Sequence, residues 1–168
     1  MSTSSQSSLL EGAPDYEAAF ERAGRWLALR ARTEAELTGR LEDGGFDPAV
    51  VARVIARLKE LRLVDDAAFA RSWVEERTRS KASGPALLKE ELAAKGVAEE
   101  VIAEVLDEAF PDETTRATEL AAAIVGKWAE LPVAKQVARL TGALARKGFS
   151  PEAVEAGVRA VLPPEGWD

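Results

Sequence analysis

Neither cysteine nor histidine occurs among the 168 residues. Without cysteine there are no disulfides, no thiolate catalysis and no common structural zinc site. Without histidine the usual general acid/base and the usual metal ligand near neutral pH are missing too. No apolar run is long enough to cross a bilayer, so no membrane partner is expected. The opening MSTSSQSSLLEGAP lacks a basic segment followed by an apolar stretch, so it does not read as a secretory signal, and a cytoplasmic address is the default expectation. No stretch alternates with period two, which argues against a sheet. The doubled glycine Gly44-Gly45 lacks the Lys and Ser/Thr of a phosphate-binding loop. No metal-ligand cluster and no cofactor motif appears. The pairs Glu75-Glu76, Glu90-Glu91 and Glu99-Glu100 point about 100° apart on a helix, so they make no catalytic couple. These absences favour a binding protein over an enzyme, with no catalytic residue assigned.

Apolar residues make up 46% of the chain, enough to bury a core. The net charge is −7. Residues 1–64 hold 9 basic and 10 acidic groups, 65–110 hold 6 and 11, and 111–168 hold 7 and 8, so the acidity is concentrated in the middle. A protein that grips DNA tightly by itself usually carries a basic excess.

One phrase recurs three times. It centres on Gly45, Gly96 and Gly148, spaced 51 and 52 residues apart. Four residues before each stands Leu41, Leu92 or Leu144, and eight before stands Leu37, Leu88 or Leu140. Phe46, Val97 and Phe149 follow directly; Val51, Ile102 and Val154 come six later, and Ile55, Leu106 and Val158 ten later. Steps of four place these residues on one helical face on either side of the glycine. The glycine sits where the first helix must stop, in the left-handed conformation of a C-terminal cap. Asp47-Pro48 and Ser150-Pro151 then supply an N-cap and a first-turn proline.

A third helix precedes each pair. Ala23–Arg30 and Ala70–Arg77 share Ala-x-x-Trp-apolar-x-x-Arg, and Ala121–Trp128 is a looser third copy. The pattern predicts helices near 15–31, 33–43, 47–62, 66–81, 84–95, 98–110, 112–129, 132–147 and 150–162. Thr33 with Glu36 predicts a capping box, Asp65 or Asp66 caps the fourth helix and Asp112 the seventh. The fold class is therefore all-α, an elongated tandem array of three three-helix modules over 15–64, 65–111 and 112–168, with 1–14 a disordered tail. Neighbouring units can share cores at their junctions, and three in line span roughly 60–70 Å. The alternative is a compact bundle in which the repeats are relics of duplication.

The repeated apolar residues, with Trp26 and Trp73, read as core; each indole N–H then needs a polar partner or an exposed edge. Trp167 is expected to pack back on the last helix. Arg30 and Arg77 end apolar stripes, where the stem covers the core edge and the guanidinium meets terminal carbonyls or an acid. Arg22, Arg25 and Arg32 fall on the opposite side and are expected to face solvent. Arg77, Arg79 and Lys81 form a short basic run. As a solvated surface these cations need no function; as a binding surface they suit phosphate or an acidic partner. Arg22, Arg25, Arg32, Arg77, Arg79 and Lys81 are the candidate contact residues.

The run Trp-Leu-x-x-Arg-x-Arg-Thr-x-x-Glu-Leu at Trp26–Leu37 resembles the opening signature of the RecX family, bacterial regulators of the RecA recombinase. LVDDAAFARSWVEER at Leu63–Arg77 is similar to that family's central motif, continued by Lys81, Gly84, Leu88, Glu91, Leu92, Lys95 and Gly96. The likeness runs from about residue 16 to 110 and weakly to 162. Trp73 stands where a tyrosine is common, and the acidic balance departs from a simple DNA binder. The resemblance implies tandem three-helix modules. It also implies a protein that binds RecA filaments on DNA along the helical groove and restrains strand exchange, ATP hydrolysis and co-protease activity; a monomer that meets DNA mainly through that complex is expected. The competing expectation is an autonomous DNA-binding protein built from helix-turn-helix-like units.

Overall fold

The computed structural model describes residues 14–165 and Trp167. The expected tail lies outside the described residues, except Pro14, which opens the first helix. Among the described residues there are nine α-helices and no strand. They are α1 (Pro14–Leu29), α2 (Glu34–Asp43), α3 (Pro48–Glu60), α4 (Asp66–Lys81), α5 (Pro85–Ala94), α6 (Glu99–Ala109), α7 (Glu113–Ile124), α8 (Val133–Arg146) and α9 (Pro151–Val161). The seventh helix stops short of its expected end. A 3₁₀ turn, Val125–Trp128, takes over there.

The three recurring turns are built alike. Gly45, Gly96 and Gly148 have φ of +89°, +77° and +90°. The N–H of Phe46, Val97 and Phe149 reaches back to the carbonyl of Leu41, Leu92 and Leu144 at 3.2, 3.2 and 3.4 Å. This is the backward hydrogen bond of a glycine-stopped helix, and it swings the next apolar residue over the stop. Asp47, Asp65, Asp112 and Ser150 accept from the N–H of Ala49, Ala68, Thr115 and Ala153 at 2.8, 2.9, 3.0 and 3.3 Å. Local sequence therefore sets where most helices begin and end.

Each helical triplet buries its own apolar residues. Leu37, Leu41, Val51 and Ile55 belong to one core, Leu88, Leu92, Ile102 and Leu106 to a second, and Leu140, Leu144, Val154 and Val158 to a third. Burying one such side chain contributes about 1.5–3 kcal/mol. Substantial helix–helix packing stays within a triplet. In the third, α7 and α9 approach closely because Gly157 meets the Ala117 backbone: a Cβ there would stand 3.1 Å from the Ala117 carbonyl oxygen. The molecule is thus an elongated array of three three-helix modules.

The junctions do not share cores, contrary to the expectation from the repeat. They are made by polar contacts in which at least one partner is a backbone group. At the first junction, Thr33 at the start of α2 donates its hydroxyl to the Lys95 carbonyl at 2.7 Å. At the second, the Gly84 N–H at the start of α5 donates to the Lys147 carbonyl at 2.6 Å, and the Ala86 N–H to the Gly148 carbonyl at 3.0 Å. In the repeat frame Thr33 and Gly84 are equivalent, as are Lys95 and Lys147. One joint is therefore used twice: the start of the middle helix of one module docks on the glycine turn of the next. A Cβ on Gly96 would lie 2.3 Å from the Ala35 Cβ, and one on Gly148 only 2.5 Å from the Leu87 N. Glycine thus serves both the turn and the close approach. In the third module α8 begins about one turn earlier, at Val133, with Pro132 before it. The docking end seen at Thr33 and Gly84 does not recur there.

Candidate binding surface

The six candidate cations divide between the first two modules and differ in availability. Arg22 is exposed and lies over the Phe46 ring, 5.3 Å from its centroid. Arg25 and Lys81 are exposed, and neither side chain has an ion-pair partner among the described residues. Arg79 is exposed and pairs with Glu75 at 3.6 Å and with Glu76 on its own helix. Such surface pairs exchange readily for another partner. Arg79 also rims an open depression with Arg71, Glu75, Glu108 and Arg116. Both signs of charge meet there, so it has no marked preference for anions.

Arg32 departs from expectation. It is 7% exposed, not solvent-facing. The chain leaves α1 at Leu29, so Arg32 belongs to the connection to α2 and not to the wheel of α1. Its guanidinium meets Glu36, which Arg30 also holds. Burial pushes the Glu36 carboxyl upward, but the hydrogen bonds and charges of Arg30 and Arg32 outweigh it and hold the group below its ordinary value of 4.5. This pairing modifies the expected capping box. Thr33 accepts from the Glu36 N–H at 3.2 Å, while the Glu36 carboxylate turns to the two arginines.

Arg77 is likewise committed. Its guanidinium carbon stands 4.4 Å from the Trp73 ring centroid, and the Lys95 ammonium stands 4.3 Å from it. The Trp73 indole N–H donates to Glu91 at 2.7 Å, and Arg77 meets the same carboxylate oxygen at 3.4 Å. Phe69 stacks on Trp73 with centroids 6.0 Å apart. Two cations, two rings and one carboxylate thus clamp α4 to α5 and its turn. The Lys95 carbonyl belongs to the first junction, so this cluster and the joint share a residue.

A second polar junction contact comes from Asp66, which accepts from the Glu34 N–H at 2.9 Å. Asp65 caps α4, leaving Asp66 to cap the preceding module's α2. Burial raises the Asp66 carboxyl above its ordinary value of 3.8 despite that hydrogen bond. Lys59, 2.9 Å from Glu34, is held above its ordinary value by the same acid.

Glu91 and Lys95 were visible in the sequence only as half of an acid pair and as part of a family likeness. The i, i+4 spacing of Trp73 and Arg77 was the available signal for a cation over a ring. Charge is also unevenly spread within the last module. Residues 131–151 contain four cations and no acid, and three of those cations stand on α8.

Residues 19–58 match the model of the RecX first three-helix domain, and residues 65–106 that of the second. Regulatory protein RecX of Mycobacterium sp. (strain JLS) is 41% identical over 134 residues, covering 75% of this chain and 72% of that protein. Regulatory protein RecX of Chlorobaculum tepidum is 34% identical over 146 residues, covering 86% and 88%. Among solved structures, RecX from Lactobacillus salivarius superposes with a TM-score of 0.80 at 20% identity over 86% of this chain and 95% of that one, a likeness of fold.

Proposed function

The chain belongs to the RecX family, and from that premise we propose that it binds RecA filaments on DNA along their helical groove and inhibits recombinase, ATPase and co-protease activity. The observation that carries this reading is the 41% identity to a regulatory protein RecX across 72% of that protein's length. The geometry is consistent with it. Three modules joined end to end offer several faces to successive subunits of a polymer, and linked weak contacts gain through effective concentration. Hydrogen-bonded junctions hold those faces in a set relation, which lowers the ordering cost of binding. The division into 15–64, 65–111 and 112–168 belongs to the same proposal.

Within the candidate surface, Arg22, Arg25, Arg79 and Lys81 are free to meet filament acids or phosphates, while Arg32 and Arg77 act by holding structure. The relevant titration is RecA ATPase on single-stranded DNA with increasing amounts of this protein. Dose-dependent inhibition is expected. ATPase unchanged at a molar excess would refute the reading. Reversing Arg22, Arg25 and Lys81 to glutamate should weaken inhibition with helicity intact.

A further inference from the structure

We propose that the glycine turn of the first module, Gly44 to Phe46, docks a partner protein, and that it takes the N-terminal end of a helix opening with a small residue and a proline. The two junctions of the chain set the precedent. In each, the start of a middle helix meets the turn of the next module: the Thr33 hydroxyl on the Lys95 carbonyl, and the Gly84 and Ala86 N–H groups on the Lys147 and Gly148 carbonyls. In the repeat frame the matching acceptors of the first module are the Gly44 and Gly45 carbonyls. Neither accepts a hydrogen bond from a described residue. Gly45 has φ +89°, as its two counterparts do, but an added Cβ there meets no described atom within 4 Å. Val97 and Phe149, which follow the docked turns, are 5% and 7% exposed, whereas Phe46 is only partly buried. A second copy of this chain has no free end of this kind to offer. Thr33 and Gly84 are engaged, and Gln136, in their place in the third module, lies inside α8. The occupant is therefore a different protein.

The surroundings of the turn select which helix fits. At the first junction the residue after Thr33 is Glu34, whose N–H needs an acceptor, and Asp66 of the next module supplies it. At the second the residue after Gly84 is Pro85, which has no N–H and needs none. Ala23 and Ala70 are equivalent, so four residues earlier Ala19 takes the place of Asp66; it is fully buried and brings no side-chain acceptor. The turn of the first module thus suits a helix that opens as Gly84-Pro85-Ala86 does. Glu42 and Asp43 end α2 beside this turn, exposed and without an ion-pair partner among the described residues. Acids there favour the positive end of the incoming helix dipole. Arg22 lies across the approach: its guanidinium covers Phe46, and a Cβ on Gly44 would stand 3.1 Å from it. An exposed contact between a cation and a ring is weak enough to yield to the docking helix.

The inference stands apart from RecA binding, so its test omits RecA. The probe is an acetylated peptide of residues 83–95, carrying Ala94→Lys closed by a lactam onto Glu90 to hold the helix. The isotope-labelled full chain is titrated with it, and backbone amide shifts are followed by NMR. Saturable shifts at Gly44, Gly45 and Phe46 are expected. Gly45→Ala puts a methyl group into the contact and should weaken binding about tenfold or more. A peptide with Ala86→Pro lacks one donating N–H but keeps first-turn geometry, and should weaken binding similarly. Arg22→Ala clears the approach and should not weaken it. Absence of saturable shifts at the turn would overturn the proposal, as would undiminished binding to Gly45→Ala or of the Ala86→Pro peptide. Weakening by Arg22→Ala as large as that by Gly45→Ala would mean that acids of the peptide meet the arginine and not the turn, which also overturns it. Shifts of the same amides on raising protein concentration without peptide would assign the turn to a second copy, and shifts confined to Gly148 and its neighbours would mean that the peptide only displaces α5; either result overturns the proposal.

Discussion

Replacing Gly148 by alanine separates the two duties of the turn glycine. The residue has φ +90°, where an added Cβ costs about 1–2 kcal/mol. Gly45 has φ +89° and open space around it, so Gly45→Ala carries that backbone cost alone. At Gly148 the methyl group would also stand 2.5 Å from the Leu87 N and 3.0 Å from the Leu87 Cα. Both belong to the helical backbone of α5, which cannot yield as a flexible side chain would. The junction must open, and the hydrogen bonds from the Gly84 and Ala86 N–H groups to Lys147 and Gly148 break. Each contributes about 0.5–1.5 kcal/mol, so Gly148→Ala should cost about 2–5 kcal/mol in total. Native-state hydrogen exchange reads the difference directly. The Gly84 and Ala86 amides should exchange much faster in Gly148→Ala and unchanged in Gly45→Ala. Solution scattering should report a larger radius of gyration for the former only. Equal protection of those amides in both variants would refute the idea that the bare glycine is what lets the modules dock. Gly96→Ala should open the first junction in the same way, since its Cβ would meet Ala35.

Three further outcomes follow from the electrostatics and backbone. Glu36→Gln leaves the buried Arg32 without its acid and should destabilise the first module by about 1–3 kcal/mol at neutral pH in urea denaturation. Because the folded-state value of Glu36 is lowered, its contribution is present above its unfolded value near 4.5 and is lost as pH falls through the folded value; the gap between parent and variant should therefore close in acid. Asp66 has the opposite sign: its raised value means that ionisation costs stability as pH rises past it, so Asp66→Asn, which still accepts from the Glu34 N–H, should be no less stable than the parent at pH 7 in the same assay. Ala82 closes α4 at φ +51°, and Ala82→Gly should raise the denaturation midpoint, worth about 1 kcal/mol, because glycine accepts that conformation without strain.

The helices and their ends were readable because they depend on neighbours in sequence. Leu37, Leu41 and Gly45 lie within little more than two turns of each other, and periodicity with capping chemistry is enough to place them. Asp65 and Asp66 show where that reading ends. Either could cap α4 locally, and only the approach of Glu34 from another module assigns Asp66 to it. Arg32 failed for a similar reason: extending the wheel of α1 past Leu29 projected the side chain outward, whereas the connection turns it in.

By itself, then, the order of residues determined a thrice-repeated helical unit, its turn glycines, its caps and its buried leucines, all matters of contacts a few residues apart. The tertiary structure decided how the units meet and which charges remain free. A junction built from the Lys95 and Lys147 carbonyls leaves no hydrophobic pattern to read, because every residue carries a carbonyl. Whether a cation is spent or available depends on an acid far along the chain, as with Arg77 and Glu91, or on the lack of one, as along α8.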